Sequence, residues 1–409
     1  MAQRTVEATR AADEAAPYRI VVEASILLLQ FSMGLSFLAV APLFPLIITT
    51  FGIDNATVSL LVGVSSLSVG LALVPASILA ARLGSRWSLV LGGVLMGLTG
   101  LSLFAESFPL LLATRVSFAL GAALNMSATP AVLLRWFPVK ELAMVNGANV
   151  VAQSLGVMIS MLLGPILAGA LDWDGALSLY GAVALVSTAL WIVLGRDRGG
   201  SSPTAAPFQV SDLSAVLGNR VVVLLSIGLA GALGAYISLQ SWLPTFWTEE
   251  RGYTLEQAGL LSALLSLFGI LGAVIGSALP VRVPTRRPFL LAGGLGIPLF
   301  AAGAILLDAP LLFVAIAVLG IVGWVFMPVV FTIPMEIPGM NGARVGIAVA
   351  MVLGAGNLAG FFIPLMVGYL RDQTGSFVLG LSIACSLALV MVACTALMPE
   401  TGTPTRTGR

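Results

Sequence analysis

Ser77-Ile-Leu-Ala-Ala-Arg-Leu-Gly-Ser-Arg86 is a short polar hinge pinned between two long apolar runs, and it has an echo. At an offset of about 200 residues the chain reads Ser277-Ala-Leu-Pro-Val-Arg-Val-Pro-Thr-Arg286, with Arg282 and Arg286 in the places of Arg82 and Arg86. Other landmarks keep the same order. Pro45 and Gly52 answer to Pro244 and Gly252, Pro138 to Pro338, Gly156 to Gly356, Pro165 to Pro364, and Gly169 to Gly368. One half-sized unit is therefore used twice.

Composition sets the class. Of the 409 residues, 58% are hydrophobic and only 9% charged, against about 25% charged in a soluble domain. The chain reads as an all-α polytopic membrane protein: helices satisfy their own backbone in lipid, and the ten-residue alternation of barrel strands is absent. A net charge of +1 offers nothing to nucleic acid, and the absence of His removes imidazole metal sites, bases and pH switches. Cys385 and Cys394 lie in the last apolar run, about 13 Å apart along a helix axis, too far for a disulfide. No cofactor or metal is expected.

Twelve apolar runs follow one another: 22–49, 57–80, 88–105, 108–133, 144–170, 175–195, 220–246, 254–279, 288–306, 309–332, 345–370 and 376–398. These divide the chain into a tail (1–19), a six-helix bundle (20–195), a Gly/Ser/Pro-rich linker (196–219), a second six-helix bundle (220–398) and a C-terminal tail (399–409). Of the 19 Lys and Arg, all but three fall in the tails and even-numbered loops; Arg251 and Arg371 lie in odd loops and Arg115 inside a span. The positive-inside rule then predicts cytoplasmic termini in a multi-pass inner or plasma membrane.

Six plus six spans around a central cytoplasmic loop resemble the major facilitator superfamily. That family's loop between spans two and three reads G-x-L-A-D-R-x-G-R-R, and Leu79, Ala80, Arg82, Gly84 and Arg86 match it. The acidic position is Ala81 and the first Gly is Ser77, so the charge relay expected to gate the cytoplasmic side is incomplete. Arg115 followed by Gly121 is similar to the family's fourth-span motif, Trp136-Phe137-Pro138 with Glu141 to its next loop, and Gly164-Pro165 with Gly169 to part of the fifth-span antiporter motif. The resemblance implies a twelve-helix transporter of alternating access, with Arg82, Gly84, Arg86, Arg282 and Arg286 in the gating loops. Trp242-Leu-Pro-Thr245, with Gly252-Tyr253 and Ala258-Gly259, also resembles the cyanate/nitroimidazole transporter branch.

Arg115 is the sharpest single signal, because a cation inside a span must face the bundle interior or a water-filled cavity. It could bind an anionic group bidentately, or bond backbone carbonyls as a structural group. Neutral polar residues supply the other candidates. Asn146, Asn149 and Gln153 share one face of span five with Gly156; Tyr236 and Gln240 are one turn apart in span seven; Gln30, Trp324 and Asn357 lie in spans one, ten and eleven. Such groups can hydrogen-bond a solute at the midplane between repeats, or join helices at about 1 kcal/mol or less each. The expected substrate-binding set is Arg115, Gln240, Tyr236, Asn149, Gln153, Asn357, Trp324 and Gln30. No acid lies clearly inside a span, and Glu23 at the mouth of span one is the sole candidate to carry a coupling proton, its other and favoured reading being an interfacial anchor.

The expected function is secondary active or facilitative transport, by symport or uniport, of a small organic solute that is anionic or polar-neutral. The expected surroundings are a small-molecule substrate, the lipid bilayer and, as an option, a coupling proton, with no nucleic acid and a monomeric chain. A multidrug exporter, or a non-transporting receptor or assembly factor on the same scaffold, is the alternative. An enzyme is not expected, since no His, Asp or Glu cluster sits at an interface.

Overall fold

A computed structural model of the chain describes residues 2–196, 210–283 and 285–401. Among the described residues the structure is helical, with no strand. Ten helices cross singly: α1 (Tyr18–Phe51), α2 (Asn55–Leu83), α3 (Ser85–Phe104) and α4 (Phe108–Trp136), then α7 (Arg220–Glu249), α8 (Leu255–Ala278), α9 (Arg287–Leu306), α10 (Leu311–Glu336), α11 (Arg344–Thr374) and α12 (Phe377–Leu397). Between them, Met144–Leu194 is 51 residues long. That is more than twice what a hydrocarbon core of about 30 Å needs at about 1.5 Å per residue. It folds back at Asp172, whose φ of 61° and ψ of 172° leave helical space. The two arms touch: the Tyr180 hydroxyl donates to the Ser160 carbonyl at 3.4 Å. The arms are α5 (144–171) and α6 (173–194), which completes twelve spans within a few residues of the apolar runs.

Residues 197–209, most of the expected linker, lie outside the described residues, as do 402–409 of the expected C-terminal tail. The linker's end forms a short helix, Val210–Leu217, where Asp212 accepts from Arg344 Nε at 2.8 Å. The helix containing α1 begins at Ala2.

Prolines shape α1. Its regular helix ends at Phe37, a 3-10 turn covers Ala41–Leu43, and helix resumes at Phe44–Phe51. The Ala41 N–H turns to the Leu38 carbonyl, so the Ser36 and Phe37 carbonyls before the break go without helical partners, and Pro42 and Pro45, which have no N–H, keep the α-ladder from resuming at once. The result is a full interruption of the helix. Pro244 lies within the continuous helix α7. A capping box of Thr254 and Gln257 starts α8.

Each half packs its own helices, α1 on α5 and α2 on α4 in the first, α7 on α11 and α8 on α10 in the second. The halves meet along two seams, α2 against α11 and α5 against α8, and where the α1 turn touches α7. Small residues set the approach. A Cβ on Gly63 would lie 3.0 Å from Phe361, one on Gly70 3.0 Å from Asn357, and one on Gly259 2.7 Å from the Met161 carbonyl. Glycines on α8 form close faces within the second half: a Cβ on Gly272 or Gly276 would run into the Ile321 or Val325 carbonyl at 2.3 and 2.1 Å.

The contacts between the halves run from one end to the middle of the bundle. Arg19–Glu141, Trp136–Arg196 and Arg287–Met398 pairings gather both chain termini and the even loops at the other, which we call the terminal end. At the opposite end Phe44 of α1 stacks on Trp242 of α7 at 5.1 Å, and Trp242 on Phe377 at 5.1 Å. Towards the terminal end, side chains built on Gly147 of α5 or Gly346 of α11 would meet open space. The bundle is closed at the opposite end and parted at the terminal end.

Candidate functional site

Arg115 sits opposite the break in α1 and is 0% exposed. Its Nη1 donates to the Ser36 carbonyl at 2.7 Å, Nη2 to the Phe37 carbonyl at 2.8 Å, and Nε to the Leu61 carbonyl of α2 at 3.3 Å. Two of these carbonyls are ones the break deprives of helical partners. The guanidinium lies 4.9 Å from the Phe118 ring centroid, one turn along α4. Of the two arrangements the sequence left open, carbonyl bonding is the one observed here. Three of the five N–H donors are used, and no carboxylate is paired with this charge among the described residues.

In the second half, α7, α8 and α10 bring three of the expected residues together. Tyr236 and Trp324 pack edge to face with centroids 6.2 Å apart. Glycines make the room: a Cβ on Gly323 would lie 2.2 Å from the Tyr236 ring, and one on Gly269 2.7 Å from Trp324. The Tyr236 hydroxyl is buried beside the Trp324 indole, and no protein acceptor takes its proton in hydrogen-bond geometry. One turn away, Gln240 donates weakly to Ser266 Oγ at 3.4 Å. A buried hydroxyl whose proton finds no acceptor costs about 1–3 kcal/mol.

In the first half, Gln30 meets two residues of α4 that the sequence reading passed over. Its amide donates to Thr129 Oγ1 at 3.1 Å and Asn125 Oδ1 at 3.4 Å, and Thr129 donates to Asn125 Oδ1 at 3.0 Å. The Asn125 amide nitrogen is buried without a partner. The i, i+4 spacing of Asn125 and Thr129 is a signal that could have flagged them, since polar residues one turn apart share a face.

The α5 stripe points elsewhere. Its face packs on α1, where a Cβ on Gly34 would lie 1.9 Å from the Gln153 carbonyl and one on Gly156 2.2 Å from the Phe31 carbonyl. Asn149 donates to Glu23 Oε1 at 2.9 Å, leaving Glu23 Oε2 and its own Oδ1 buried without partners, while Asn146 is exposed. Asn357 lies in the α2–α11 seam and donates to the Leu353 carbonyl of its own helix at 3.0 Å. The eight expected residues therefore do not converge on one point. Tyr236, Gln240 and Trp324 form one cluster, Gln30 joins a second, Asn149 and Gln153 sit in the α1–α5 seam, and Arg115 and Asn357 stand apart.

The loop residues at the terminal end divide too. Gly84 takes φ +80° between α2 and α3; Arg82 and Arg282 are exposed. Arg86 donates to the Ile192 carbonyl at 3.0 Å, whereas Arg286 forks onto Glu336 with Nε at 3.0 Å and Nη2 at 2.5 Å. That carboxylate holds the Arg286 guanidinium above its usual pKa. The repeat mate of Glu336 is Trp136, which explains why Arg86 turns to a carbonyl. The Trp242–Thr245 run serves packing: Trp242 Nε1 donates to the Pro364 carbonyl at 2.9 Å.

Comparison with known proteins agrees with this layout. The family model described as Major Facilitator Superfamily matches residues 26–353. A probable sulfoacetate transporter, SauU, of Cupriavidus necator is 26% identical over 337 residues, covering 76% of this chain and 77% of that protein. A quinolone resistance transporter of Acinetobacter baumannii is 28% identical over 373 residues, covering 81% and 82%. Among solved structures, a bacterial homologue of the human lysosomal transporter Spinster, in an inward-facing and unoccupied conformation, aligns with a TM-score of 0.72 at 19% identity, covering 93% of this chain and 95% of that one. The chain belongs to the Major Facilitator Superfamily, and it is a membrane solute transporter of alternating access rather than an enzyme.

Proposed function

We propose that this transporter moves a small organic anion, a carboxylate or sulfonate of modest size. The observation that carries the reading is the charge of Arg115. It is fully buried, it is held by three carbonyl dipoles and the Phe118 ring, and no acid among the described residues neutralises it. A net positive charge in a low-dielectric bundle favours an anion beside it even without direct contact. The directional bonds then come from neutral donors, the Tyr236 hydroxyl and the Gln240 and Gln30 amides, with Trp324 as a wall. Asn357 tunes the α2–α11 seam on which the halves move, while Asn149 and Gln153 hold α5 to α1 within the first half. The probable sulfoacetate transporter among the relatives handles an anion of this kind, which supports the same choice.

On this reading the terminal end faces the cytoplasm, as the Lys and Arg distribution requires, in the inner or plasma membrane. One chain encloses the whole path and works as a monomer. Glu23, held by Asn149 on one oxygen only, is where a coupling proton would ride. The gating arginines Arg82, Arg86, Arg282 and Arg286, around Gly84, act at the cytoplasmic mouth.

Uptake into proteoliposomes of a carboxylate panel tests the proposal. Arg115→Lys keeps the charge and loses the fork; Arg115→Gln loses the charge. Anion uptake retained in part by Lys and abolished by Gln is the expected outcome, and normal anion affinity in both removes Arg115 from the site. The edge-to-face Tyr236–Trp324 pair and the quinolone resistance relative favour a second reading, export of flat aromatic drugs. Transport of lipophilic cations but no anion would select it.

A further inference from the structure

The two halves are joined by hydrogen bonds at one place among the described residues, and that place is the start of α2. Asp372, near the end of α11, reaches across the seam. Its Oδ1 accepts from the Asn55 backbone N–H at 3.1 Å and from the Asn55 side-chain amide at 2.7 Å, and its Oδ2 from the Ala56 N–H at 2.9 Å. Asp54, the helix's own cap, takes the Thr57 N–H at 2.7 Å. The first three helical N–H groups of α2, which a helix cannot satisfy internally, are thus shared between two carboxylates, one from each half.

The carboxylate is aimed by what surrounds it. Arg371 pairs with Glu249 of α7 at 3.1 Å and lies 5.1 Å from the Phe377 ring centroid. Glu250 accepts from the Phe377 N–H at 2.5 Å and the Ser376 hydroxyl at 3.0 Å. Gly368 lets the Asn55 carbonyl come close, since a Cβ there would lie 2.5 Å from it. No such bond is made at the terminal end among the described residues. There α11 starts on its own Asn341 side chain, which accepts from the Arg344 N–H at 2.9 Å, and the end of α2 carries Ala81.

We infer that Asp372 is a state-selective latch: it caps α2 only while the opposite end is closed, and it biases the empty transporter towards that closed state. Opening the opposite mouth separates α2 from α11, so the Asn55 and Ala56 backbone N–H groups and the Asn55 amide return to water, Thr57 stays on Asp54, and the Asp372 carboxylate loses a set of charge-assisted bonds. Nothing equivalent among the described residues is gained at the terminal end. By the measured worth of helix N-caps, losing the latch shifts the open-to-closed ratio by about three- to thirty-fold.

The test uses two cysteine reporters in full-length protein in detergent, in a background lacking Cys385 and Cys394. Ser66→Cys sits buried in the α2–α11 seam and Gly147→Cys at the open terminal end. Reactivity with a water-soluble maleimide is measured with and without Asp372→Ala. The latch predicts opposite changes: faster labelling at 66 by about three- to thirty-fold and slower labelling at 147. Unchanged rates at both sites overturn it. Rates rising together also overturn it, because the contact would then hold the fold and not the state.

Discussion

Replacing Tyr236 by phenylalanine removes one oxygen and nothing else, and the structure assigns that oxygen two opposed effects. The hydroxyl is buried beside the Trp324 indole and finds no protein acceptor for its proton, so the empty protein bears a desolvation cost of about 1–3 kcal/mol. The phenyl ring would fill the same slot against Gly269 and Gly323, keep the edge-to-face contact with Trp324, and leave no polar atom stranded. Allowing for partial relief, the empty variant gains about 1 kcal/mol, which at about 2–4 °C per kcal/mol raises its Tm by a few degrees. Substrate feels the reverse. A donor to a charged acceptor is worth about 1.5–3 kcal/mol, so affinity for a transported anion falls on the order of tenfold or more. Thermal unfolding followed by tryptophan fluorescence reads the first effect, and concentration-dependent uptake the second. A Tyr236→Phe protein that melts several degrees below wild type would show that the hydroxyl has a structural partner. An unchanged affinity would remove it from the site.

Other substitutions follow from the same geometry. Arg115→Gln strands carbonyls at the α1 break; three bonds at about 0.6–1.7 kcal/mol each cost about 2–5 kcal/mol, visible as a Tm loss on the order of 10 °C, and a loss under about two degrees would refute the clasp. Asp172→Gly relieves a backbone conformation that only Gly adopts freely and stabilises the α5–α6 turn by about 1 kcal/mol, read from the same unfolding curves. Gly272→Ala drives a methyl into the Ile321 carbonyl and should lower stability by about 1–3 kcal/mol, whereas Gly346→Ala in open space should not. At Asp54, the bond from Thr57 holds the carboxyl below its usual pKa. The stability this adds is complete above the ordinary carboxylate range and is lost only as pH falls through the lowered value. Asp54→Asn keeps the cap and should flatten that acid limb of the stability curve.

How much of this was legible beforehand differs by level. Hydropathy and the repeat located the spans because membrane burial is written residue by residue: the runs ending at 170 and restarting at 175 bracket the Asp172 turn. Pairings between helices were not readable. Periodicity showed that Asn149 and Gln153 share a face of α5, but not that this face lies on α1, because helix rotation is set by packing and not by the stripe itself. Gln30 finds Asn125 and Thr129 across the first half, and Asp372 finds Asn55 across both halves, at separations where no local pattern carries information. Arg115 was legible as important. Its role depended on carbonyls freed at the break in another helix.

The central claim, an anion drawn in by an unneutralised Arg115, is tested most directly by thermal unfolding of the purified protein against matched carboxylates and their neutral amides. A bound ligand at 100 times its Kd adds about 2.7 kcal/mol if it binds the folded state alone, or several degrees of Tm. The account predicts stabilisation by one or more carboxylates, none by the corresponding amides, and loss of the effect in Arg115→Gln measured against its own baseline. Equal stabilisation by amides, or by lipophilic cations alone, would contradict it.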